Sequence, residues 1–449
     1  MAEKQEPGSG IVKVVAASMA GTTVEWYDFF LYGVAAALVF PTVFFPGGPG
    51  ADPAVGVLLS LGTFAVGFIA RPFGGLVFGH YGDKIGRKTL LVISLLMMGI
   101  ATFAIGLLPG YATIGLAAPL LLVVLRLVQG FALGGEWGGA VLIVSEHGDP
   151  ARRGFWASWP QAGAPGGQLL ANGLLTLLAV VQDEATFLAW GWRIPFLLSA
   201  VLVLIGLWVR LSVEESPVFR AAQAKAQERA AAGTADTMPI LDVLRRYPRE
   251  VLTAMGARFA ENVSYYIFTI VVTTYVTTQL ELPSSFVLGA VLIGAAVHFV
   301  TIPLWGALSD RIGRRPVYLF GAVGVGLWTF AFFALLDTRD FALTAVAVTV
   351  GLVLHGAMYG PQAAFLSELF GTTVRYSGVS IGYQLASILA GGLAPIIAVA
   401  LLTTFDSGYA IAVYVALCAV VTIVAVATYS ETGKRDLEND PALTRRTAG

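Results

Sequence analysis

The decapeptide GHYGDKIGRK occupies residues 79–88, and a close copy, GALSDRIGRR, occupies residues 306–315. Both copies place Gly, Asp, Gly and Arg at the same positions, and each lies between two long apolar runs. Glycine lets the backbone turn sharply, and basic residues are kept on the cytoplasmic side of membrane proteins. Each copy therefore predicts a tight, charged hairpin between two membrane-spanning helices, and its repetition predicts two copies of one helical bundle.

The composition is that of a membrane protein. The chain of 449 residues is 57% hydrophobic and only 12% charged, and it contains 52 glycines. A water-soluble chain of this length needs more surface charge. Uncharged stretches recur at the length of a membrane span, at least ~18 residues, and predict twelve helices. The predicted ranges are 16–45, 55–78, 89–109, 115–145, 155–181, 193–212, 249–279, 286–308, 316–336, 343–369, 377–403 and 409–430.

A second repeat supports the duplication, because a Glu precedes an Arg by the same spacing after the fourth and after the tenth predicted helix. The residues are Glu146, Arg153, Glu368 and Arg375. Two parallel six-helix halves with a site between them are the plan of the major facilitator fold. The predicted divisions are a first bundle (1–212), a cytoplasmic linker (213–248), a second bundle (249–430) and a cytoplasmic tail (431–449).

The distribution of basic residues predicts the orientation. Most of the 27 Lys and Arg residues lie on the side of the predicted bundle that carries both termini, while the net charge is only -1. By the positive-inside rule, both termini are expected in the cytoplasm of a multi-pass cell-membrane protein. The expected partners are the lipid bilayer and small molecules rather than nucleic acid. Cys418 is the single cysteine, so no intrachain disulfide forms.

Five further strings make the resemblance to known families specific. They are VEWYDF (24–29), RPFGG (71–75), RLVQGFALGGEWGGA (126–140), WGWRIPF (190–196) and SELFGTTVRYSG (367–378). The hairpin motif resembles the whole major facilitator superfamily, and these strings resemble its metabolite:proton symporter family. Members of that family take up shikimate, 2-oxoglutarate, citrate, or proline and betaine. Shikimate-type carriers are the most similar, through Arg258 and Glu261. The resemblance implies an all-α integral membrane protein with twelve transmembrane helices in two pseudo-symmetric six-helix bundles.

Candidate proton-coupling residues lie on the first and fourth predicted helices. Glu25 and Asp28 are one turn apart, and Arg126 reaches a comparable depth from the other side. An ion pair between Asp28 and Arg126 would stabilise the ionised carboxylate, and displacement of the Arg would favour proton uptake. Sugar-type facilitators place an Asp and an Arg on the same two helices. A static pair remains an alternative, and Glu25 is a second candidate for the proton carrier.

Candidate substrate-binding residues lie on helices of both predicted halves. The guanidinium groups of Arg126 and Arg258 present the planar donor fork that suits a carboxylate. The complete predicted set is Arg126, Gln161, Arg258, Glu261, Asn262, Tyr265, Tyr266, Gln362, Tyr383 and Gln384. As alternatives, Arg258 serves only to pair with Glu261, and the amides satisfy backbone groups near prolines inside helices.

Charged residues at the cytoplasmic ends of the helices predict a gate that ion pairs hold shut. The predicted gate residues are Asp83, Arg87, Glu136, Glu146, Arg153, Asp310, Arg314, Glu368 and Arg375. Charge-directed topology alone is the alternative, and it explains the arginines but not the two aspartates of the hairpins.

No metal site or cofactor is expected, apart from the proton as coupling ion. His80, His298 and His355 have no Cys or His at metal-ligand spacing along the chain. Each therefore stands alone in the sequence and is expected to be a hydrogen-bonded core residue. For His298 and His355, a role as proton relay is the alternative.

The sequence as a whole predicts a monomeric, proton-coupled symporter that imports a small carboxylate such as shikimate or 2-oxoglutarate. An enzyme is not expected, because no nucleophile–base set or phosphate-binding loop is evident. Two rival functions stay open. One is uptake of proline or betaine as osmolytes. The other is proton-coupled efflux, since residues 163–167 (GAPGG) partly resemble an antiporter motif.

Overall fold

The structure is a computed structural model that describes residues 9–46, 53–85, 87–134, 144, 149–212, 243, 245–370 and 375–433. Within these ranges, the side chains at 9, 10, 13, 53, 79–85, 87–91, 209, 210, 212 and 375–377 are outside the description. The predicted gate residues Glu136 and Glu146 lie outside the described residues, as do the side chains of Asp83, Arg87 and Arg375.

Twelve main helical segments occur in the described residues, which is the number that the sequence predicts. Apolar stretches form helices in a bilayer because a helix satisfies every backbone N–H and C=O within one segment. In chain order they are α1 Ser9–Leu38, α2 Pro53–Ile85, α3 Arg87–Leu107, α4 Ala117–Leu133, α5 Arg153–Val181, α6 Arg193–Ser212, α7 Pro248–Tyr266 (continued by Ile267–Val271, Val272–Thr274 and Tyr275–Gln279), α8 Ser284–Ile312, α9 Arg314–Leu336, α10 Phe341–Leu369, α11 Arg375–Ala386 (continued by Ser387–Gly392 and Ala394–Phe405) and α12 Gly408–Ala427. Short helical turns are Phe40–Val43, Tyr111–Ile114, Pro150–Arg152, Glu184–Thr186 and Phe187–Gly191.

Seven helices in the described part of the chain are long and apolar enough to cross a membrane. The count is eight if Glu184–Gly191 and Arg193–Trp208, which meet at 44°, form one span. The shorter apolar helices Val92–Leu107 and Ala117–Leu133 add to these. α7 is less apolar because it carries Arg258 and Glu261 in its centre.

The same packing pattern occurs in both halves of the bundle. In the first half, α1 packs on α5 and α6, α2 packs on α4, and α3 packs on α4 and α6. In the second half, α7 packs on α11 and α12, α8 packs on α10, and α9 packs on α10 and α12. A shift of six helices converts one pattern into the other. The halves meet where α5 contacts α8 and α10, and where α2 contacts α11.

The second hairpin is tighter than the sequence predicts. Helices were expected to end at 308 and begin again at 316, but α8 continues to Ile312 and α9 begins at Arg314. Gly313 alone makes the turn, with φ of 102° and ψ of 158°. Only glycine adopts this backbone region without strain, so a single residue reverses the chain. In the first copy, the backbone is helical to Ile85 and again from Arg87.

Gly313→Ala tests the one-residue turn. We expect the substitution to destabilise the protein by about 1–3 kcal/mol, because the backbone region is strained for any side chain. A Cβ atom would also lie 2.6 Å from Glu431 Oε2. The measurement is the Tm of the detergent-solubilised protein, which should fall.

Gly62→Ala is the matched control, since an added Cβ there meets nothing within 4 Å and the backbone is helical. Alanine favours a helix over glycine by about 1 kcal/mol, so the Tm of this control should stay the same or rise. An unchanged Tm in Gly313→Ala would contradict the description of the turn.

Candidate functional site

Ionisable side chains from six helices are buried inside the bundle. A charge within a bilayer span costs about 2.5–3.5 kcal/mol on insertion scales, so such groups must face protein or a cavity. The buried groups are Glu25 and Asp28 on α1, Arg71 on α2, Arg126 on α4, Arg258 and Glu261 on α7, His298 on α8 and His355 on α10. Most of them belong to the set that the sequence predicts.

Arg126 is held by an aromatic ring and an amide. Its guanidinium lies 4.1 Å from the centroid of the Tyr32 ring. Its Nη1 donates to Gln129 Oε1 at 3.1 Å, while its Nε has no partner among the described residues. Gln129 in turn donates to the hydroxyl of Thr102 at 2.7 Å. A cation–π contact stabilises the charge but leaves donors free for an anion.

The predicted ion pair between Asp28 and Arg126 is not formed in this structure. Neither carboxylate oxygen of Asp28 makes a hydrogen bond to any described residue. The hydroxyl of Thr102, which lies beside Asp28, donates to Met98 O at 3.0 Å. Arg126 turns toward Gln129 and Tyr32 instead. Asp28 is therefore buried, 2% exposed, without a compensating donor in the described part of the chain.

Arg71 is a buried cation outside the set of predicted site residues. Its guanidinium lies 4.2 Å from the centroid of the Phe68 ring and 5.1 Å from that of Phe29. It has no ion pair within the described residues, and its Nε is unpaired. Glu25, one turn before Asp28, lies within electrostatic range of Arg71. An arginine inside an apolar stretch was the signal available in the sequence.

Arg258 has an ion pair to a carboxylate in the second half, in contrast to Arg71 and Arg126, although its Nε also lacks a partner among the described residues. Its Nη1 lies 3.3 Å from Glu261 Oε2, so the alternative (i, i+3) pair is present. The guanidinium also lies 3.4 Å from the centroid of the Tyr383 ring. Its other acceptors are Gln362 Oε1 at 2.8 Å, Asn262 Oδ1 at 3.0 Å and Ser387 Oγ at 3.4 Å.

The sequence spacing predicted that His298 and His355 stand alone, but in the structure the two rings are in contact. His355 Nδ1 lies 3.0 Å from His298 Nε2, and His355 Nε2 lies 3.4 Å from Glu261 Oε1. Tyr265 stacks on the His355 ring with the centroids 4.7 Å apart. Both histidines are buried and hydrogen-bonded, as expected, but they are not isolated from each other because α8 and α10 pack side by side. Together they extend the Arg258–Glu261 pair into a buried polar chain.

Other predicted substrate residues meet across the boundary between the halves. Tyr266 contacts the rings of Phe29 and Phe68, at centroid distances of 5.8 and 5.9 Å. The hydroxyl of Tyr265 donates to Gln168 Oε1 at 3.5 Å. Two predicted amides bind backbone instead: Gln161 Nε2 donates to Tyr359 O at 3.4 Å and Gln384 Nε2 to Gly134 O at 3.0 Å. The contact of Gln161 agrees with the alternative, since Tyr359 lies beside Pro361 inside α10, whereas Gly134 at the end of α4 is not near such a proline.

At the end of the bundle that carries the hairpins, here called the basic end, a group of ion pairs joins the two halves. We call Arg153, Asp310, Arg314 and Glu368 the gate cluster. Glu368 Oε1 lies 3.1 Å from Arg153 Nη1 and 3.3 Å from Arg314 Nη2. Arg314 Nη1 lies 2.7 Å from Asp310 Oδ1. Asp310 also accepts hydrogen bonds from the first backbone N–H groups of α5, those of Gly154 at 2.8 Å and Phe155 at 2.9 Å. The cluster therefore ties α5 of the first half to α8, α9 and α10 of the second.

The segment after α12 strengthens the basic end, which the sequence did not indicate. Thr432 Oγ1 donates to Glu368 Oε2 at 2.7 Å. The Glu431 carboxylate accepts from the backbone N–H groups of Arg314 at 2.8 Å and Arg315 at 3.0 Å, at the start of α9. Burial alone would raise the pKa of Glu431, but the backbone N–H donors outweigh burial and hold that pKa below its usual value.

Comparisons with known proteins agree with this architecture. The sequence matches the family model described as sugar (and other) transporter over residues 13–443. The inner membrane metabolite transport protein YhjE of Escherichia coli K12 is 44% identical over 431 residues, covering 95% of each chain. The shikimate transporter of Escherichia coli K12 is 42% identical over 399 residues, covering 88% of this chain and 89% of the relative.

Among solved structures, the major facilitator proton:xylose symporter XylE bound to 6-bromo-6-deoxy-D-glucose has the same fold. The TM-score is 0.74 at 18% identity, over 98% of this chain and 100% of that one. The family model and these relatives show that the chain is a membrane transporter rather than an enzyme. The chain belongs to the sugar (and other) transporter family of the major facilitator superfamily, and the predicted resemblance to its metabolite symporters is confirmed.

Glu368→Gln tests the gate cluster. Removing the shared carboxylate leaves the Arg153 charge buried without its partner, which costs about 3–5 kcal/mol. We expect the basic end to open more often. The measurement is the rate of thiol labelling of Ala157→Cys in a Cys418→Ser background, because Ala157 is buried against Ala363 and Ala364 across the boundary. The rate should rise about tenfold or more, since ~1.4 kcal/mol suffices for a tenfold shift.

Glu184→Gln is the matched control, because Glu184 is an exposed side chain in the connection between α5 and α6. Labelling of the Cys at 157 should not change in this variant. Equal labelling in Glu368→Gln and in the parent would show that the cluster does not hold the basic end closed.

Proposed function

We propose that this transporter imports a small organic carboxylate together with protons, by alternating access. The proposal rests on one observation above all. Arg71 and Arg126 are buried in the first half, and neither has an ion pair to a carboxylate among the described residues. Since an uncompensated charge inside a bilayer is costly, an anionic substrate is the natural partner for these guanidinium groups.

The remaining polar groups favour an acid with hydroxyl or keto groups. Guanidinium offers a planar pair of donors that matches a carboxylate. On α5, both amide atoms of Asn172 and the Nε2 of Gln168 are buried without hydrogen bonds to described residues. The hydroxyl of Tyr359 on α10 is also buried without a hydrogen bond to a described residue. Shikimate and 2-oxoglutarate have the required combination of groups, and a shikimate transporter is among the relatives.

Asp28 is the proposed carrier of the coupled proton. Its carboxyl group is buried without a donor in the described residues, so the ionised form lacks compensation while the protonated form is neutral. A neutral Asp28 would allow the first half to move with its substrate through the occluded state. Glu25 is the competing carrier, one turn away and also buried.

The orientation and the assembly complete the proposal. The basic end faces the cytoplasm by the positive-inside rule, so that both termini are cytoplasmic in the cell membrane and the gate cluster closes the cytoplasmic side. One chain contains a complete pathway between its two halves, and a monomer is therefore sufficient. The proton is the single coupling ion that we propose.

Uptake into proteoliposomes with an imposed inward proton gradient tests the function. The panel is shikimate, 2-oxoglutarate, citrate, proline and betaine, with a protonophore as control. We expect one of the acids to accumulate and the protonophore to abolish this accumulation. Accumulation of proline or betaine would make the protein an osmolyte carrier. If no compound of the panel accumulates and an apolar drug moves outward in the same vesicles, the protein is an efflux transporter and the symport proposal is wrong.

Asp28→Asn separates proton coupling from substrate binding. Asparagine has nearly the shape of a protonated carboxyl group but cannot release a proton. We expect this variant to keep substrate exchange between equal concentrations and to lose accumulation driven by the proton gradient. Both are measured with the radiolabelled acid in proteoliposomes.

Asp340→Asn is the matched control, because Asp340 is exposed at the start of α10 and asparagine caps a helix equally well. Its accumulation should equal that of the parent. Normal accumulation by Asp28→Asn would remove Asp28 from coupling. Loss of accumulation in Glu25→Gln alone would transfer the role to Glu25.

A further inference from the structure

Three ionisable side chains from three helices form a continuous hydrogen-bonded row in the second half. His298 of α8 and His355 of α10 are both fully buried, and their rings are 3.0 Å apart between Nε2 and Nδ1. His355 Nε2 continues the row to Glu261 Oε1 of α7 at 3.4 Å. We call His298, His355 and Glu261 the histidine row.

The hydrogen bonds of the row have one consistent direction. Glu261 Oε2 accepts a hydrogen bond from Gln362 Nε2 at 3.0 Å and pairs with Arg258 Nη1 at 3.3 Å. The carboxylate is therefore ionised and acts as the acceptor. His355 must then carry its proton on Nε2 and present Nδ1 as acceptor. His298 consequently donates from Nε2. Its Nδ1 is left as a lone pair, and this atom has no hydrogen-bond partner among the described residues.

Among the described residues, His298 Nδ1 is the atom of the row that has no hydrogen-bond partner, so it is the end at which a proton can be added. An unpaired, buried acceptor is costly, and two imidazoles are a poor choice for a purely apolar core. The titratable and charged groups facing the row are Arg258, Tyr265 and Tyr266 on α7, Tyr318 on α9, Tyr359 on α10 and Tyr383 on α11. α5 contributes the neutral amides of Gln161 and Gln168. In the described part of the chain, Glu261 is the one carboxylate that the row contacts.

We infer that the histidine row conducts a proton to Glu261 and thereby releases Arg258 for the carboxylate of the substrate. A proton enters on His298 Nδ1, and His298 passes its Nε2 proton to His355 Nδ1. His355 passes its Nε2 proton to Glu261 Oε1. One proton is transferred in total, both imidazoles remain neutral with exchanged tautomers, and no other bond changes. This inference rests on the proposed function, since it assumes an anionic substrate.

Protonation of Glu261 removes the one carboxylate that pairs with Arg258. The guanidinium keeps its neutral acceptors on Gln362, Asn262 and Ser387, which hold it in place. A substrate carboxylate can then replace Glu261 as the anionic partner. Proton and substrate binding therefore favour each other, and by linkage the effect is reciprocal. The second half would thus couple a further proton to the substrate, and transport would need this proton as well as the one on Asp28.

The first test observes the tautomers without any substrate. The full-length protein is labelled with ¹⁵N-histidine in lipid nanodiscs, with His80 and His147 replaced by Gln so that two of the four histidines remain. At neutral pH, both rings should be neutral with the proton on Nε2, and acidification should convert both together to the Nδ1–H form. A charged imidazolium at His355, or a proton on Nδ1 of either ring at neutral pH, would overturn the relay.

The second test uses transport by His298→Gln. Glutamine keeps a hydrogen-bonding side chain but cannot pass a proton from one nitrogen to another. We expect gradient-driven accumulation of the acid, with shikimate and 2-oxoglutarate as probes, to fall by about tenfold or more while exchange is retained. His80→Gln is the matched control and should accumulate like the parent.

The outcomes separate the two proposals. If the parent protein accumulates none of the acids, the proposed function fails, and the tautomer measurement still decides the relay. If the parent accumulates an acid and His298→Gln does so equally well, the relay alone is wrong. Loss of both exchange and accumulation in His298→Gln would make His298 a structural residue and would also overturn the relay.

Discussion

Hydrocarbon cannot solvate a charge, and this constraint determines how the interior of the protein is organised. In the second half, Arg258 has Glu261 and three neutral acceptors, so its charge is compensated within the fold. In the first half, neither Arg71 nor Arg126 has an ion pair to a carboxylate among the described residues, and Asp28 has no hydrogen-bond donor there. Under the proposed function, these groups would receive substrate and proton in the first half. The two halves therefore differ in charge compensation although their packing pattern is the same.

The same constraint applies to the basic end. Glu368 is shared between an arginine of each half, and Asp310 accepts from the start of α5, so the contact between the halves consists of buried charges. Such contacts are stable only while every partner is present. Separation of the halves must break several of them in one step, which favours two discrete states over a gradual opening. The segment at Glu431 and Thr432 adds to this closed arrangement.

Local features of the fold were predictable, whereas the rotation and pairing of helices were not. Twelve helices follow from apolar stretches, and the Arg258–Glu261 pair follows from its (i, i+3) spacing. Asp28 and Arg126 have suitable depths, but depth does not reveal which way each side chain points around its helix. His298 and His355 meet only because α8 packs against α10. The turn at Gly313 was tighter than expected because Glu431, distant in sequence, caps the next helix.

The most direct test of the account is to record substrate and proton movement together. Proteoliposomes with an internal pH-sensitive dye, and with the membrane voltage clamped by potassium and valinomycin, receive the transported acid outside without an imposed pH gradient. The account predicts that the interior acidifies in step with uptake, at a constant ratio of protons to substrate. Uptake with no pH change, or with alkalinisation of the interior, would contradict proton-coupled import.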